Sequence, residues 1–401
     1  MAALSPAGRR RWRKRWLDIH LWAGLAFGLW LSLVGLSGAV LTFHPELERA
    51  FHAPWFQTRD QGGAPAFRPL NEIVAAAAAA MPAGARFTFA FYPRTDDGTY
   101  WLYFDVPATR ASGKPSVARW DVFVDPYTAR VMGKRLKQVD GEWAPREFFA
   151  FMFSLHYQLL VPWGVGEKFV GVMALLAMAS ILAGLYLWWP SLGRWKAALS
   201  IKRHASTVRF VYDLHNVSGV YLAPVLLAVL FSGVYLNLRP EFVWVVQQVS
   251  PATRDRYTIR SHAPAPGARP IGLHRALQIA RETYPQERAD MLYEAFDADA
   301  SYMVCTRGAR SASRFADQRC LVIDQYRGAI LHQTVAGTET AGTTLIAWQR
   351  LLHSGEAFGL PGRMLVLLSG LALPVLFVSG LVRWLQKRRA RRRASRAGGR
   401  A

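Results

Sequence analysis

The sequence predicts a membrane protein: a four-helix transmembrane bundle made from two internal repeats, each carrying an inserted soluble α+β module outside the bilayer. Three observations predict it. Four apolar runs, at 17–43, 169–189, 217–238 and 364–385, are each long enough to cross a bilayer as a helix. The net charge of +22 is concentrated in the short pieces beside those runs. The first half of the chain also matches the second over thirty residues without a gap.

Charge sets the order and orientation of the elements. Residues 1–16 form a basic N-terminus with six Lys/Arg, followed by the first span at 17–43, which is too long for a removed leader and is expected to be retained. A first outside module fills 44–146, and an approach helix with the second span fills 147–189. The loop 190–212 carries five Lys/Arg before the third span at 213–238. A second outside module occupies 239–343, an approach helix with the fourth span occupies 344–385, and a basic tail closes the chain at 386–401. The three short basic pieces hold +18 of the +22, whereas 44–168 and 239–363 carry only +1 and +3. Short basic loops stay in the cytoplasm, so both termini are expected inside and both modules outside. Charge that flanks membrane spans, rather than coating a folded domain, argues against a nucleic-acid-binding protein.

The repeat is read by setting 18-DIHLWAGLAFGLWLSLVGLSGAVLTFHPEL-47 above 213-DLHNVSGVYLAPVLLAVLFSGVYLNLRPEF-242. Asp18 meets Asp213, His20 meets His215, Gly24 meets Gly219, and Ser37-Gly38 meets Ser232-Gly233. The modules match as well: 68-RPLNEIVAAAAAAMP-82 with 269-RPIGLHRALQIARETYP-285, each a helix between Arg-Pro and a proline stop, and 122-VFVDPYTARVMG-133 with 321-LVIDQYRGAILH-332. Asp125 and Asp324 are expected in equivalent turns. The segment 155-LHYQLLVPWGVGEKFVG-171 resembles 352-LHSGEAFGLPGRMLVLL-368, so His156 corresponds to His353. Gly359-Leu360-Pro361-Gly362 is expected to break the chain before the fourth span. Cys305 and Cys320 flank a hairpin loop between two strands; a disulfide, permitted in an oxidising compartment, is expected ahead of two buried free thiols, and a catalytic or metal-binding pair is disfavoured because the spacing matches no tight ligand motif.

Four histidines therefore form two equivalent pairs. His20 and His215 stand at the cytoplasmic entrances of spans one and three, and His156 and His353 at the outer entrances of spans two and four. Two imidazoles at one depth, on facing helices, are what a bis-histidine haem requires. Gly24, Gly219 and Gly355 would let a flat macrocycle approach the backbone. The sequence lacks Cys-x-x-Cys-His, so attachment would be non-covalent and the haem of b type. The competing uses are a transition-metal transport site, which belongs nearer the midplane, and plain interfacial histidines. Trp12, Trp16, Trp22, Trp163, Trp188, Trp189 and Trp384 form an interfacial belt.

The two Asp-x-His entrances, the L-H-S-G-x-x-F-G-L-P-G-R approach and the doubled V-D-P-Y-T-A-R-V-M-G / I-D-Q-Y-R-G-A-I-L segments resemble the PepSY-associated transmembrane proteins over roughly residues 10–388. This family includes bacterial ferric-siderophore reductases. The resemblance implies a four-span inner-membrane protein with PepSY-like periplasmic modules and haem-mediated reduction of ferric siderophores. It implies His20, His215, His156 and His353 as ligands of two haem b groups. The copy around His156 departs from the pattern by lacking Gly after the histidine. No dinucleotide motif is present and the cytoplasmic pieces are too short for a flavin domain, so electrons are expected from a membrane quinol or a cytoplasmic reductase. The alternative functions are a non-enzymatic PepSY-type periplasmic sensor or inhibitor, and a metal or siderophore permease.

Overall fold

The computed structural model describes residues 5–58, 67–110, 112–161, 164–191, 193–202, 204–252, 256–308, 318–333 and 339–398. Trp163 and most of the hairpin loop between the cysteines lie outside the described residues. The chain divides into two compact units: a helical unit from residues 1–42, 152–243 and 348–401, and a sheet unit from 43–151 and 244–347.

The helical unit is dominated by four helices long and apolar enough to cross a membrane: α1 (Pro6–Leu41), α6 (Val165–Trp188), α8 (Thr207–Asn237) and α12 (Gly359–Gly398). They pack in a ring in which α1 touches α6 and α12, and α8 touches the same two. Small residues permit the closest crossing. A Cβ added at Gly35 would lie 2.7 Å from the Gly370 carbonyl oxygen, and one at Gly370 would lie 2.5 Å from the Gly35 oxygen. Ser32, Ser37, Ser232 and Ser379 return their hydroxyls to carbonyls of their own helices, so no polar group of theirs is stranded in the apolar interior. The short helix α7 (Trp195–Ala198) lies in the basic loop.

The helices overrun the apolar windows. Ser5 caps α1 by accepting from Gly8 N, so most of the basic N-terminus is helical and continuous with the first span. The basic tail likewise continues α12. The expected break at 359–362 falls earlier. Gly355 (φ 76°) and Gly359 (φ 60°) bracket a short 3₁₀ turn, and Leu360-Pro361-Gly362 already belong to the first turn of α12. Proline is tolerated in a first helical turn because its absent N–H would have no intrahelical partner there.

The sheet unit differs from two separate modules: its eight strands form one antiparallel sheet, ordered β4-β3-β2-β1-β5-β6-β7-β8. The strands are β1 (Arg86–Phe91), β2 (Tyr100–Thr109), β3 (Pro115–Val124), β4 (Val131–Val139), β5 (Glu287–Tyr293), β6 (Ser301–Gly308), β7 (Gln318–Asp324) and β8 (Ile330–Gln333). Each insertion contributes a four-stranded meander, and β1 pairs with β5 to join them. The pairing covers one exposed strand edge on each meander. One face is covered by α4 (Leu70–Ala79) and α10 (Gly272–Thr283), which bury Ile73, Ala77, Ala276 and Ala280 against Leu102, Val122, Leu292 and Ile323. The other face is aromatic and sulfur-rich: Phe89, Phe91, Trp101, Met291, Met303 and a disulfide between Cys305 and Cys320, which face each other in the β6–β7 register. Asp125 Oδ1 accepts from Tyr127 N and Thr128 N, and Asp324 Oδ1 from Tyr326 N and Arg327 N, so the two aspartates close turns of the same kind.

The helices α2 (His44–Phe51) and α3 (Ala53–Phe56) belong to the sheet unit, and α5 (Phe148–Gln158), α9 (Arg239–Gln247) and α11 (Ala341–Ser354) carry the chain from one unit to the other. Within the sheet unit, half-buried Arg135 pairs with Glu48 at 2.6 Å, Asp121 at 3.0 Å and Glu147 at 3.6 Å.

Candidate functional site

Within the helical unit the four sequence-flagged histidines meet in two pairs. The rings of His20 on α1 and His215 on α8 have centroids 6.0 Å apart, and those of His156 on α5 and His353 on α11 lie 5.8 Å apart. In the second pair the two Nε2 atoms face each other at 3.5 Å.

Every one of the four rings is tethered through Nδ1 to a neighbouring helix, three of them to a backbone carbonyl and His215 to a serine hydroxyl. His156 Nδ1 donates to the Val34 carbonyl at 2.8 Å, His353 to Val229 at 3.0 Å and His20 to Ser180 at 2.9 Å. His215 Nδ1 instead lies 2.9 Å from Ser379 Oγ, whose own hydroxyl donates to the Val375 carbonyl and so leaves its oxygen to accept from the ring. A glycine stands four residues beyond each accepting carbonyl, Gly38, Gly233 and Gly184, and Gly380 lies against His215 in the same way. A Cβ there would sit 2.6, 3.4, 3.0 and 3.3 Å, respectively, from the Cε1 of the tethered ring. The physical logic is common to the three carbonyl tethers. A helical carbonyl already accepts from the N–H four residues on, and its second lone pair is reachable only where that residue carries no side chain.

The tether fixes the tautomer. A carbonyl only accepts, so Nδ1 carries the proton and Nε2 presents a bare lone pair. Two such lone pairs face each other across 3.5 Å between His156 and His353, an arrangement that calls for a Lewis acid between them. Two imidazole–metal bonds of about 2.0–2.1 Å each would need only a slightly wider gap. A backbone carbonyl holding the far nitrogen of a ligating histidine is the usual supporting contact at metal centres. Among the described residues no group of three or more His, Cys, Asp or Glu comes together as a metal site. The His156–His353 pair therefore offers two opposed nitrogens, suited to a group that brings its remaining ligands with it, and the His20 and His215 rings stand at a similar separation.

A cavity of about 1050 Å³ among α1, α6, α8 and α12 holds His20 and His215 in its wall. Leu21, Phe27, Leu31, Leu376 and Phe377 make it apolar, and Gly24 and Gly219 line it. Nothing lies within 4 Å of a Cβ added at Gly24, so that glycine leaves open space beside His20. The basic end of the cavity is lined by Arg13, Lys14, Arg383 and Lys387, with Asp18 among them. Gly355 serves a different purpose from the one its spacing suggested. A Cβ on it would meet the Gly362 carbonyl at 2.5 Å, so it is needed for the close turn between α11 and α12. Sequence reasoning missed the tethering glycines Gly38, Gly184, Gly233 and Gly380. Two of them were visible in the repeated Ser-Gly pairs, but nothing in the spacing ties them to histidines on other helices.

A family model described as the PepSY-associated TM region matches residues 17–387, nearly the whole chain. No curated protein matches the sequence.

Proposed function

The chain belongs to the family of the PepSY-associated TM region, and from that premise we propose an inner-membrane oxidoreductase that holds two b-type haems and reduces ferric siderophores in the periplasm. The observation that carries the proposal is the pair of bare Nε2 lone pairs facing each other between His156 and His353. His20 and His215 would hold the haem nearer the basic, cytoplasmic end, and His156 and His353 the one nearer the periplasm. Bound there, the haems would supply one-electron transfer between the two membrane faces.

The chain's own residues prepare both sites. The carbonyls of Ser180, Val34 and Val229 and the Ser379 hydroxyl orient the four imidazoles and keep the proton on Nδ1. Arg13, Lys14, Arg383 and Lys387 suit the two carboxylates of a b-type macrocycle at the cavity's basic end. Leu21, Phe27, Leu31 and Phe377 exclude water from its apolar body. Each ferric ion takes one electron and becomes ferrous, which a hard-oxygen siderophore binds far less tightly than ferric iron. The electron comes from outside the chain, from a membrane quinol or a cytoplasmic reductase. Both termini lie in the cytoplasm in this reading, and the sheet unit, built from two equivalent insertions, lies in the periplasm.

The test is reduction of a ferric siderophore by membranes holding equal amounts of wild type and His353→Ala. The proposal expects the variant to insert normally, lose about half its haem absorbance and lose the activity. Undiminished activity with an unchanged haem spectrum would return His353 to the status of a packed interfacial histidine.

A further inference from the structure

Beyond their apolar runs, α1 and α12 continue as helices through residues 6–16 and 386–398, and the two helices pack against each other. On each, one face is cationic, at the three- and four-residue spacing of a helix stripe. Arg10, Arg13 and Lys14 make the stripe on α1, and Arg383, Lys387, Arg388, Arg391 and Arg392 make it on α12. All eight line the cavity that holds His20 and His215, where Asp18 is the single carboxylate among the described lining residues. None of the eight is in an ion pair among the described residues. The other half of the repeat is neutralised within the chain: Asp213, the counterpart of Asp18, is 3% exposed and takes Arg209 at 2.9 Å.

Asp18 and the two carboxylates of the proposed haem would neutralise three of these eight charges, which leaves a surplus of five. Lipid headgroups reach only the inner part of the stripe. Trp384 stands at the headgroup level, a layer of about 5–8 Å on each side of the hydrocarbon. Arg391 and Arg392 lie about 10–12 Å further along the same helix, at 1.5 Å per residue, and both are exposed. They stand in water. A cationic rim that faces water and runs into a redox cavity suits a soluble partner with a carboxylate-rich face. A quinol, uncharged and carried within the bilayer, would leave the outer cations without a counterpart.

We infer that the rim of Arg10, Arg388, Arg391 and Arg392 docks an acidic, water-soluble one-electron carrier protein at the His20–His215 end of the bundle. Electron delivery there rests on the reductase function proposed above; the docking itself rests on the rim alone. In each encounter the reduced carrier loses one electron to the haem site, and no bond or proton is exchanged. The probe is an acidic [2Fe–2S] ferredoxin, titrated in its oxidised form against the full-length protein in phosphatidylcholine nanodiscs, with binding read by surface plasmon resonance. Two variants remove the same charge from the same exposed stretch of α12. Arg391→Gln/Arg392→Gln takes it from the cavity face, and Arg389→Gln/Arg393→Gln takes it from positions that do not line the cavity. The first should weaken binding on the order of tenfold, chiefly through slower association, and flatten its dependence on salt; the second should change it by less than about threefold. Equal weakening by both variants, or no salt-sensitive binding to wild type, would overturn the docking site. Loss of ferredoxin binding when phosphatidylglycerol replaces half of the phosphatidylcholine would also overturn it, since lipid would then hold the cations. Haem absorbance of the same preparations separates the two ideas. Haem without ferredoxin binding removes the docking site alone, whereas binding without haem upholds the docking and removes the reductase reading.

Discussion

A glycine opposite a histidine decides how closely the ring can approach the neighbouring helix, and the four positions are graded. Gly38→Ala would place a methyl 2.6 Å from His156 Cε1, inside any tolerable contact, while Gly233→Ala would place one 3.4 Å from His353 Cε1, an ordinary contact. Both glycines serve the same pair, so the two variants share one reference. Gly38→Ala is expected to lose the outer haem and Gly233→Ala to keep most of it, as read by the absorbance of the purified proteins. Equal retention would show that the rings are not held as tightly as their tethers indicate. In the sheet unit, burial pushes the carboxyls of Glu48 and Asp324 up, but hydrogen bonds outweigh it. His44 and Arg135 hold Glu48 at about 2, and the N–H groups of Arg327, His262 and Tyr326 with the His262 ring hold Asp324 at about 2. Both folded values lie below the ordinary 4.5 and 3.8, so their stabilisation is complete above that range and disappears as pH falls towards 2. Thermal stability at pH 3 should therefore fall less in Asp324→Asn, relative to its own value at pH 6, than in wild type.

At the level of elements, the turn between α5 and α6 carries strain that its counterpart avoids. Leu159 (φ 52°) and Leu160 (φ 60°) occupy the left-handed region, where the turn after α11 places Gly355 (φ 76°) and Gly359 (φ 60°). A left-handed non-glycine residue costs about 1–2 kcal/mol, so Leu160→Gly should raise the thermal midpoint in detergent. A drop would mean that leucine packing outweighs the backbone relief. Arg135 is the other pivot, since its removal takes the arginine partner from two buried carboxylates, Glu48 and Asp121. Arg135→Met is expected to destabilise the sheet unit by about 3–5 kcal/mol, measurable as earlier unfolding or proteolysis. The elements most legible in the sequence were the spans, because nearly continuous apolar runs leave a signal that loops cannot mimic. Their ends were less so: the basic residues at 6–16 and 386–398 continue α1 and α12, since lysine and arginine are good helix formers and a helix does not stop at the edge of the apolar window. The β1–β5 pairing was invisible, because a strand's hydrophobic alternation does not name its neighbour across two hundred residues of chain.

For the whole molecule, the repeated sequence identified the histidines without revealing how they are held. Matching His20 to His215 and His156 to His353 put each pair in view, and the rings meet at 6.0 and 5.8 Å. The carbonyl tethers depend on which helices adjoin, a fact that belongs to the assembled bundle rather than to any one segment. The central claim is that each pair holds one haem, and the most direct test is the haem content of the purified full-length protein and its His215→Ala and His353→Ala variants, measured by pyridine haemochrome. The account predicts two b-type haems per chain in wild type and one in each variant, with the remaining haem still low-spin in its reduced spectrum. Wild type with no haem after expression with ample iron, or variants that keep both, would contradict it.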